Sequence, residues 1–320
     1  MTTERPIVLI VGPTAAGKTA LAIELAERLP GGGECLSADS MQVYRGMDIG
    51  TAKPSPAERA RVPHHLVDLV DASDDGFTVD DWLRQAEDVI SDIRRRDRWP
   101  IVVGGTNLYI QALLFGLFDG PQPDALVREA LQATDAIDLR AELERVDPDA
   151  ASRIHPNDRR RTIRAVEVFR TTGRPISVWQ QEWQAAAPRS DVRLIGLEYS
   201  VEAINRRINA RVRSMMDAGW LDEVRGLQAS VELGSQARAA LGYAQLLDHL
   251  EGGQLLDEAL EDIKIRTRRL GKQQRTWLRR FRHIPDSMWF DAEHNDTQAI
   301  ASQCFAQLNQ GGADGPIRVS

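Results

Sequence analysis

The chain has 320 residues, 42% hydrophobic and 27% charged, enough to bury a sizeable core and unlike a disordered or fibrous sequence. Its formal net charge of −7 on its own argues against nucleic acid as a partner, yet nine Lys or Arg and no Asp or Glu fall between Lys264 and His283, a local cationic footprint. No signal-peptide pattern or bilayer-length apolar run is present, which predicts a cytoplasmic protein, and Cys35 and Cys304 are too few for a disulfide framework or a zinc set and are expected to be reduced.

In chain order, Ile7 to Val11 predicts a buried parallel strand, followed by a glycine-rich turn and a helix with Leu21, Leu25 and Leu29 on one face, stopped by Pro30 and Gly31 to Gly33. Glu34 to Ala38 predicts a second strand ending at Asp39, on the edge where open α/β sheets bind ligands. Thr78 and Asp81 form a capping-box pattern opening a helix from Val79 to Arg96, with Leu83, Ala86, Ile90 and Ile93 as its buried stripe. Pro100 then precedes a strand from Ile101 to Val103.

Gly120-Pro-Gln-Pro-Asp breaks this rhythm, and the region to Arg189 carries helical patterns at Leu126 to Ala133, Leu139 to Val146 and Arg159 to Thr171, the last ended by Gly173 and Pro175. Arg193 to Tyr199 is again strand-like, Ser200 can cap the next helix, and helical patterns continue to about Arg282 before a Gly-rich tail near Gly311. Alternating strands and helices predict an α/β, doubly wound parallel sheet of the P-loop type, formed by residues 1–120 and 190–320, with an all-helical insertion at 121–189 and a helical C-terminal region.

Gly12-Pro13-Thr14-Ala15-Ala16-Gly17-Lys18-Thr19 fits G-x-x-x-x-G-K-[ST] between a strand and a helix. The glycines let backbone N–H groups converge on phosphate oxygens, Lys18 adds a positive charge, and Thr19 can ligate Mg²⁺. Nucleotide hydrolases normally add an acid at a strand end, but the third strand ends in Gly104-Gly105-Thr106. The carboxylate ends the second strand instead, as Asp39, and can assist a metal or take a proton from a hydroxyl or an amine. A small-molecule kinase and a nonenzymatic RNA-binding module remain open at this point. His64-His65 point in different directions along an extended or helical segment and are not expected to bind zinc.

The run from Asp39-Ser40-Met41-Gln42 to Pro54, read with the phosphate loop, resembles the bacterial tRNA dimethylallyltransferases, also called tRNA isopentenyltransferases. The similarity continues, in the family's order, through Val62 to Asp68, Gly104 to Tyr109, His155 to Ala165, Ala240 to Tyr243 and Thr267 to Arg279. The resemblance implies transfer of a dimethylallyl group from dimethylallyl diphosphate to the exocyclic N6 amine of the adenosine immediately 3′ of the anticodon, with Mg²⁺ as cofactor and pyrophosphate leaving. It implies Asp39 as general base, Ser40, Met41 and Gln42 against the target base, Thr106 near the reacting adenosine, and Arg211 facing the diphosphate. It further implies contacts to the tRNA anticodon stem-loop from Arg128, Arg160, Arg161, Thr162, Ile163 and Arg164 in the insertion and from Lys272, Arg275 and Arg279 near the C-terminus. A monomer is expected. Trp277 and Phe281, at i, i+4, read as core rather than a base-stacking platform.

Two departures qualify the resemblance. Many family members have Ala-Lys-Arg-Gln where this chain has Gly271-Lys-Gln-Gln, removing one cation that Arg275 can replace. Ala16 stands where Ser is common, a change that matters little when backbone N–H groups form the cradle.

Overall fold

The protein, described here from a computed structural model at residues 4–117, 120–121 and 124–310, divides into two compact units, Met1–Ala112 with Ser190–Ser320 and Leu113–Arg189. Gln122 and Pro123 of the expected break, and the tail near Gly311, lie outside the described residues. The helices in chain order are α1 (Lys18–Arg28), α2 (Pro56–Arg61), α3 (Val79–Arg95), α4 (Asn107–Phe115), α5 (Ala125–Ala133), α6 (Ala136–Val146), α7 (Pro148–Arg153), α8 (Arg159–Thr172), α9 (Ile176–Ala185), α10 (Val201–Asp217), α11 (Trp220–Ser230), α12 (Ser235–Arg238), α13 (Tyr243–Leu250), α14 (Leu256–Leu278) and α15 (Thr297–Gln310).

The first unit is built on a six-stranded, all-parallel sheet of β1 (Ile7–Val11), β2 (Gly33–Ala38), β3 (His64–His65), β4 (Trp99–Gly104), β5 (Val192–Glu198) and β6 (Met288–Asp291), in the order β3-β2-β4-β1-β5-β6. All five residues of β1 are fully buried, as a parallel strand covered on both faces requires. β2 begins one residue earlier than the apolar run suggests. β4 begins at Trp99, with Pro100 inside it: Pro100 pairs with Glu34 of β2, and pairing with β1 begins only at Ile101, so the missing N–H falls where the ladder to β1 has not started.

The capping box of Thr78 and Asp81 is present, and α3 buries Trp82, Ala86, Ile90 and Ile93. Trp82 replaces the expected Leu83 in that stripe because its large ring stacks on Tyr109 with centroids 4.5 Å apart while its indole N–H donates to the Ser37 carbonyl at 2.9 Å. The short edge strands β3 and β6 lie outside the sequence expectations. β6 packs closely through Gly196 of β5, where a Cβ would stand 2.2 Å from the Trp289 ring. Phe281 is buried as expected, whereas Trp277 is half-buried beneath the Arg280 guanidinium, 4.8 Å from the ring centroid.

The second unit packs α5 to α9 around Leu131, Leu139, Leu143, Ala150, Val166 and Ile176. Two of its helices escape the hydrophobic pattern. Asp147 is buried and caps α7 by accepting from the Ala150 N–H at 2.9 Å, and its other oxygen accepts from Ser177 N in α9 at 2.9 Å. Gly173 ends α8 at φ 70, but Pro175 starts α9 instead of marking a longer stop.

Gly271 lies inside α14, and a Cβ there would meet Ile208 Cδ1 at 3.5 Å, an ordinary contact. Gly271→Ala is therefore expected to stabilise the protein by about 1 kcal/mol, measured as a raised Tm.

Candidate active site

The site forms where three strand ends meet. Val11 and Ala38 are both register partners of Gly104, so the chain leaving β1, β2 and β4 emerges as the loop Gly12–Thr19, the segment from Asp39, and Gly105-Thr106, side by side. Gly104 is required by this crowding: a Cβ there would stand 2.2 Å from the Ala38 carbonyl oxygen. The same fact explains the missing strand-end acid, since no side chain fits at the end of β4. Thr106 N donates to the Ala38 carbonyl at 3.2 Å, and its hydroxyl accepts from Ser40 N at 3.0 Å, fastening the β4 and β2 exits together.

The loop adopts positive φ at Ala15 (64°) and Gly17 (85°), and α1 starts directly behind it at Lys18. It borders a cavity of about 560 Å³ whose walls include Lys18, Thr19, Asp39, Gln42, Arg207 and Arg211. Asp39 Oδ1 accepts from Met41 N at 2.9 Å, and among the described residues Oδ2 has no hydrogen-bond donor. One carboxylate oxygen is thus fixed by its own turn while the other is left to accept a proton.

Lys18 is half-buried, and its ammonium donates to the carbonyls of Gly12 (3.1 Å) and Pro13 (3.0 Å). Burial, reinforced by the Arg211 charge and opposed by Asp39, pulls its pKa down to about 8. Burial also lowers Arg211, against the pull of Asp39. A polyanion on the loop would restore the preference of both cations for the charged form. Lys18 is protonated below about 8 and loses its charge above it. For a reaction that uses a diphosphate, kcat/KM is expected to fall as pH rises through about 8, while kcat, measured with the anion bound, holds to higher pH. Parallel pH profiles of the two constants check this.

Side chains of α10 and α14, which share the cavity wall, hold the loop's backbone. Gln274 of α14, buried, accepts from Thr14 N at 2.8 Å and donates to the Gly105 carbonyl at 2.9 Å. Arg207 of α10 donates to the Ala15 carbonyl at 2.7 Å and lies 5.0 Å over the Tyr199 ring, whose hydroxyl donates to the Ala16 carbonyl at 3.3 Å.

On the other side, the Gln42 amide is fully used: its NH₂ donates to the carbonyls of Thr51 and Ala52, each at 3.1 Å, and its oxygen accepts from the Ser37 hydroxyl at 2.7 Å. The turn supplying those carbonyls is pinned twice. Glu223 accepts from the backbone N–H groups of Asp48 (2.9 Å), Ile49 (2.7 Å) and Gly50 (3.2 Å) and from the Tyr243 hydroxyl. Lys53, buried, donates to the Tyr44 carbonyl, to Asp48 at 2.7 Å and to Asp68 at 2.6 Å.

A family model described as IPP transferase matches residues 42–281, three-quarters of the chain. The chain belongs to the IPP transferase family. A second model of that kind, isopentenyl transferase, matches residues 5–68. Among curated relatives, the tRNA dimethylallyltransferase of Geobacter sulfurreducens is 45% identical, covering 93% of this chain and 96% of its own length, and that of Syntrophobacter fumaroxidans is 45% identical over 93% and 86%. The tRNA isopentenylpyrophosphate transferase structure of Bacillus halodurans superposes with a TM-score of 0.68 at 37% identity, covering 96% and 98% of the two chains. A eukaryotic dimethylallyltransferase solved acting on tRNA gives a TM-score of 0.81 at 29% identity, covering 98% of this chain and 81% of that one. These members share a P-loop-like α/β fold with this family member, which is an enzyme of the prenyltransferase class.

Of the residues singled out in the sequence, Thr14 to Thr19, Asp39, Gln42 and Arg211 line one cavity, and Thr106 and Ser40 bond to each other at its edge. Arg128, Arg160, Arg161 and Arg164 belong to the second unit, where Arg128 and Arg164 pair with the buried Glu167 at 2.9 and 2.7 Å. Thr162 and Ile163 are buried, with the Thr162 hydroxyl donating back to the Asp158 carbonyl, so their side chains serve the core of α8 instead of its surface. Lys272 and Arg279 are exposed. Gln274, Arg207, Glu223 and Lys53 were not singled out: Gln274 sits inside a run read for its charge, and all four act largely on backbone groups, which leave no spacing signal. Cys35 and Cys304 are free and buried, which pushes both thiols up to about 12 and leaves them inert as nucleophiles.

Proposed function

We propose that the chain transfers a dimethylallyl group from dimethylallyl diphosphate to the exocyclic N6 amine of the tRNA adenosine immediately 3′ of the anticodon, releasing pyrophosphate. One observation carries the reading within the family frame: a phosphate loop whose neighbouring strand end presents Asp39, while Gly104 leaves no room for the acid a nucleotide hydrolase needs. The loop amides of Gly12 to Thr19, with Lys18 and Arg211, hold the diphosphate and stabilise charge that grows on it as the allylic C–O bond breaks. Asp39 Oδ2 takes the proton that leaves the amine as the new C–N bond forms. An adenine amine is a weak nucleophile, so positioning matters as much as proton removal, and Ser40, Met41, Gln42 and Thr106 supply it for a base drawn out of its stack.

Among the described residues no cluster of three His, Cys, Asp or Glu side chains could cage a metal. Mg²⁺ retains waters and shares substrate phosphate oxygens, and the hydroxyl of Thr19, which lines the cavity, would supply its protein ligand. When bound, Mg²⁺ would offset negative charge on the leaving diphosphate.

We assign tRNA phosphate contacts to Arg128, Arg160, Arg161 and Arg164 within the second unit and, separately, to Lys272, Arg275 and Arg279 within the first, positioning the RNA without reading bases. No helix among the described residues is long and apolar enough to cross a membrane. The small-molecule kinase alternative gains no support from the relatives. Incubation with dimethylallyl diphosphate, Mg²⁺ and unmodified tRNA should release pyrophosphate only when all three are present; release that ignores the RNA would refute the proposal.

A further inference from the structure

We infer that Gln274 is a positioning residue that couples RNA held on α14 to the phosphate loop. The inference rests on the proposed function for the identity of the two ligands. α14 has two unlike faces at this level. Gly271, Gln274 and Leu278 are buried against the core, while Arg269 and Lys272, with Arg279 just past the helix end, are exposed and, among the described residues, form no ion pair. Two cations on the helix and a third at its end, in an acidic protein, present a phosphate-binding edge.

From the buried face, the Gln274 carboxamide reaches two of the three strand exits that build the site. It accepts from Thr14 N in the loop after β1 and donates to the Gly105 carbonyl after β4. A neutral side chain spanning two backbone groups in this way uses both its donor and its acceptor, so moving α14 changes loop shape with no slack between them. A second grip runs parallel to it: Arg268 of α14 donates to Asn209 of α10 at 2.8 Å, and Arg207 of α10 donates to the Ala15 carbonyl. The phosphate loop is thus held in shape by the helix that presents the cations. RNA that steadies α14 steadies the loop, and by reciprocity an occupied loop tightens RNA binding.

Gly105 offers an independent lesion of the same contact. A Cβ there would fall 2.6 Å from Gln274 Nε2, the far end of a flexible side chain, and otherwise meet nothing nearer than 3.6 Å, so Gly105→Ala pushes the carboxamide aside without altering α14. The test titrates inorganic pyrophosphate into the full chain, alone and with saturating tRNA anticodon stem-loop, for wild type, Gln274→Ala, Gly105→Ala and the double variant. Wild type should bind pyrophosphate about fivefold or more tightly with RNA present. Each single variant should bind pyrophosphate about tenfold more weakly, retain its RNA affinity in the absence of pyrophosphate, and lose the RNA-dependent tightening. The double variant should be no worse than either single one, since both remove one interaction. Additive losses, or tightening preserved in both variants, would overturn the inference, as would RNA that binds wild type without affecting pyrophosphate. Should Gln274→Ala fail to fold, Gly105→Ala decides alone. A wild type that binds pyrophosphate and no RNA refutes the proposed function, and with it the coupling.

Discussion

Asp39→Ala should slow dimethylallyl transfer by about two to four orders of magnitude while leaving tRNA affinity nearly unchanged, the pattern of a general base that acts in the transition state. The geometry makes the prediction asymmetric. Asp39 Oδ1 is committed to Met41 N and Oδ2 has no donor among the described residues, so the substitution removes one turn contact and one proton acceptor but no cation that RNA would need. Its loss should also change the balance of charge around Lys18, which Asp39 helps to keep protonated: the pH at which kcat/KM falls should move below the wild-type value. Single-turnover rates and tRNA binding curves, each across pH, check both parts. Equal losses in rate and RNA affinity would argue that Asp39 only binds.

Glu223→Ala is expected to act through structure, lowering stability by about 2–3 kcal/mol, because three consecutive backbone N–H groups and the Tyr243 hydroxyl lose a shared charged acceptor. In a protein this size that corresponds to a Tm lower by about 3–5 °C. The released turn carries the Thr51 and Ala52 carbonyls that hold Gln42, so transfer at permissive temperature should fall as well, with pyrophosphate binding retained because the phosphate loop is held by Gln274 and Arg207 instead. Thermal unfolding beside pyrophosphate titration separates the two effects. The milder substitution Glu223→Gln should recover part of the stability, since one amide oxygen still accepts.

Much of the sheet was legible because parallel strands covered on both faces are written as unbroken apolar runs, as in Ile7 to Val11. β3 and β6 were not, because two residues and a half-buried edge strand carry no such run. Trp82 took the place of Leu83 because periodicity ranks residues by position, whereas packing rewards the ring that reaches Tyr109 and the Ser37 carbonyl. α7 and α9 hide for a related reason: Asp147, a single buried side chain, serves the starts of both helices, and such sharing across 30 residues leaves no local pattern.

The candidate site divides along the same line. The phosphate loop and Asp39 were legible because their chemistry depends on residue types at fixed spacing. Gly104 was legible as a missing acid, and the structure supplies the cause, a contact with Ala38 that only glycine permits. What could not be read were the residues that hold backbone: Gln274, Arg207, Glu223 and Lys53 find carbonyls and N–H groups far away in sequence, and any polar side chain looks the same until the fold brings those groups to it. Arg161 and Thr162, adjacent in one motif, likewise part company only in three dimensions, one exposed and the other buried.

If the loop after β1 holds a diphosphate that departs as adenine is alkylated, the RNA itself carries the product. Unmodified tRNA incubated with the protein, Mg²⁺ and dimethylallyl diphosphate is digested to nucleosides and examined by mass spectrometry, beside a reaction in which ATP replaces the prenyl donor. The account predicts one dimethylallyl group on the N6 amine of the adenosine next to the anticodon, one pyrophosphate released for each, and no product from ATP. Unchanged tRNA together with phosphate transferred from ATP to a small acceptor would contradict it.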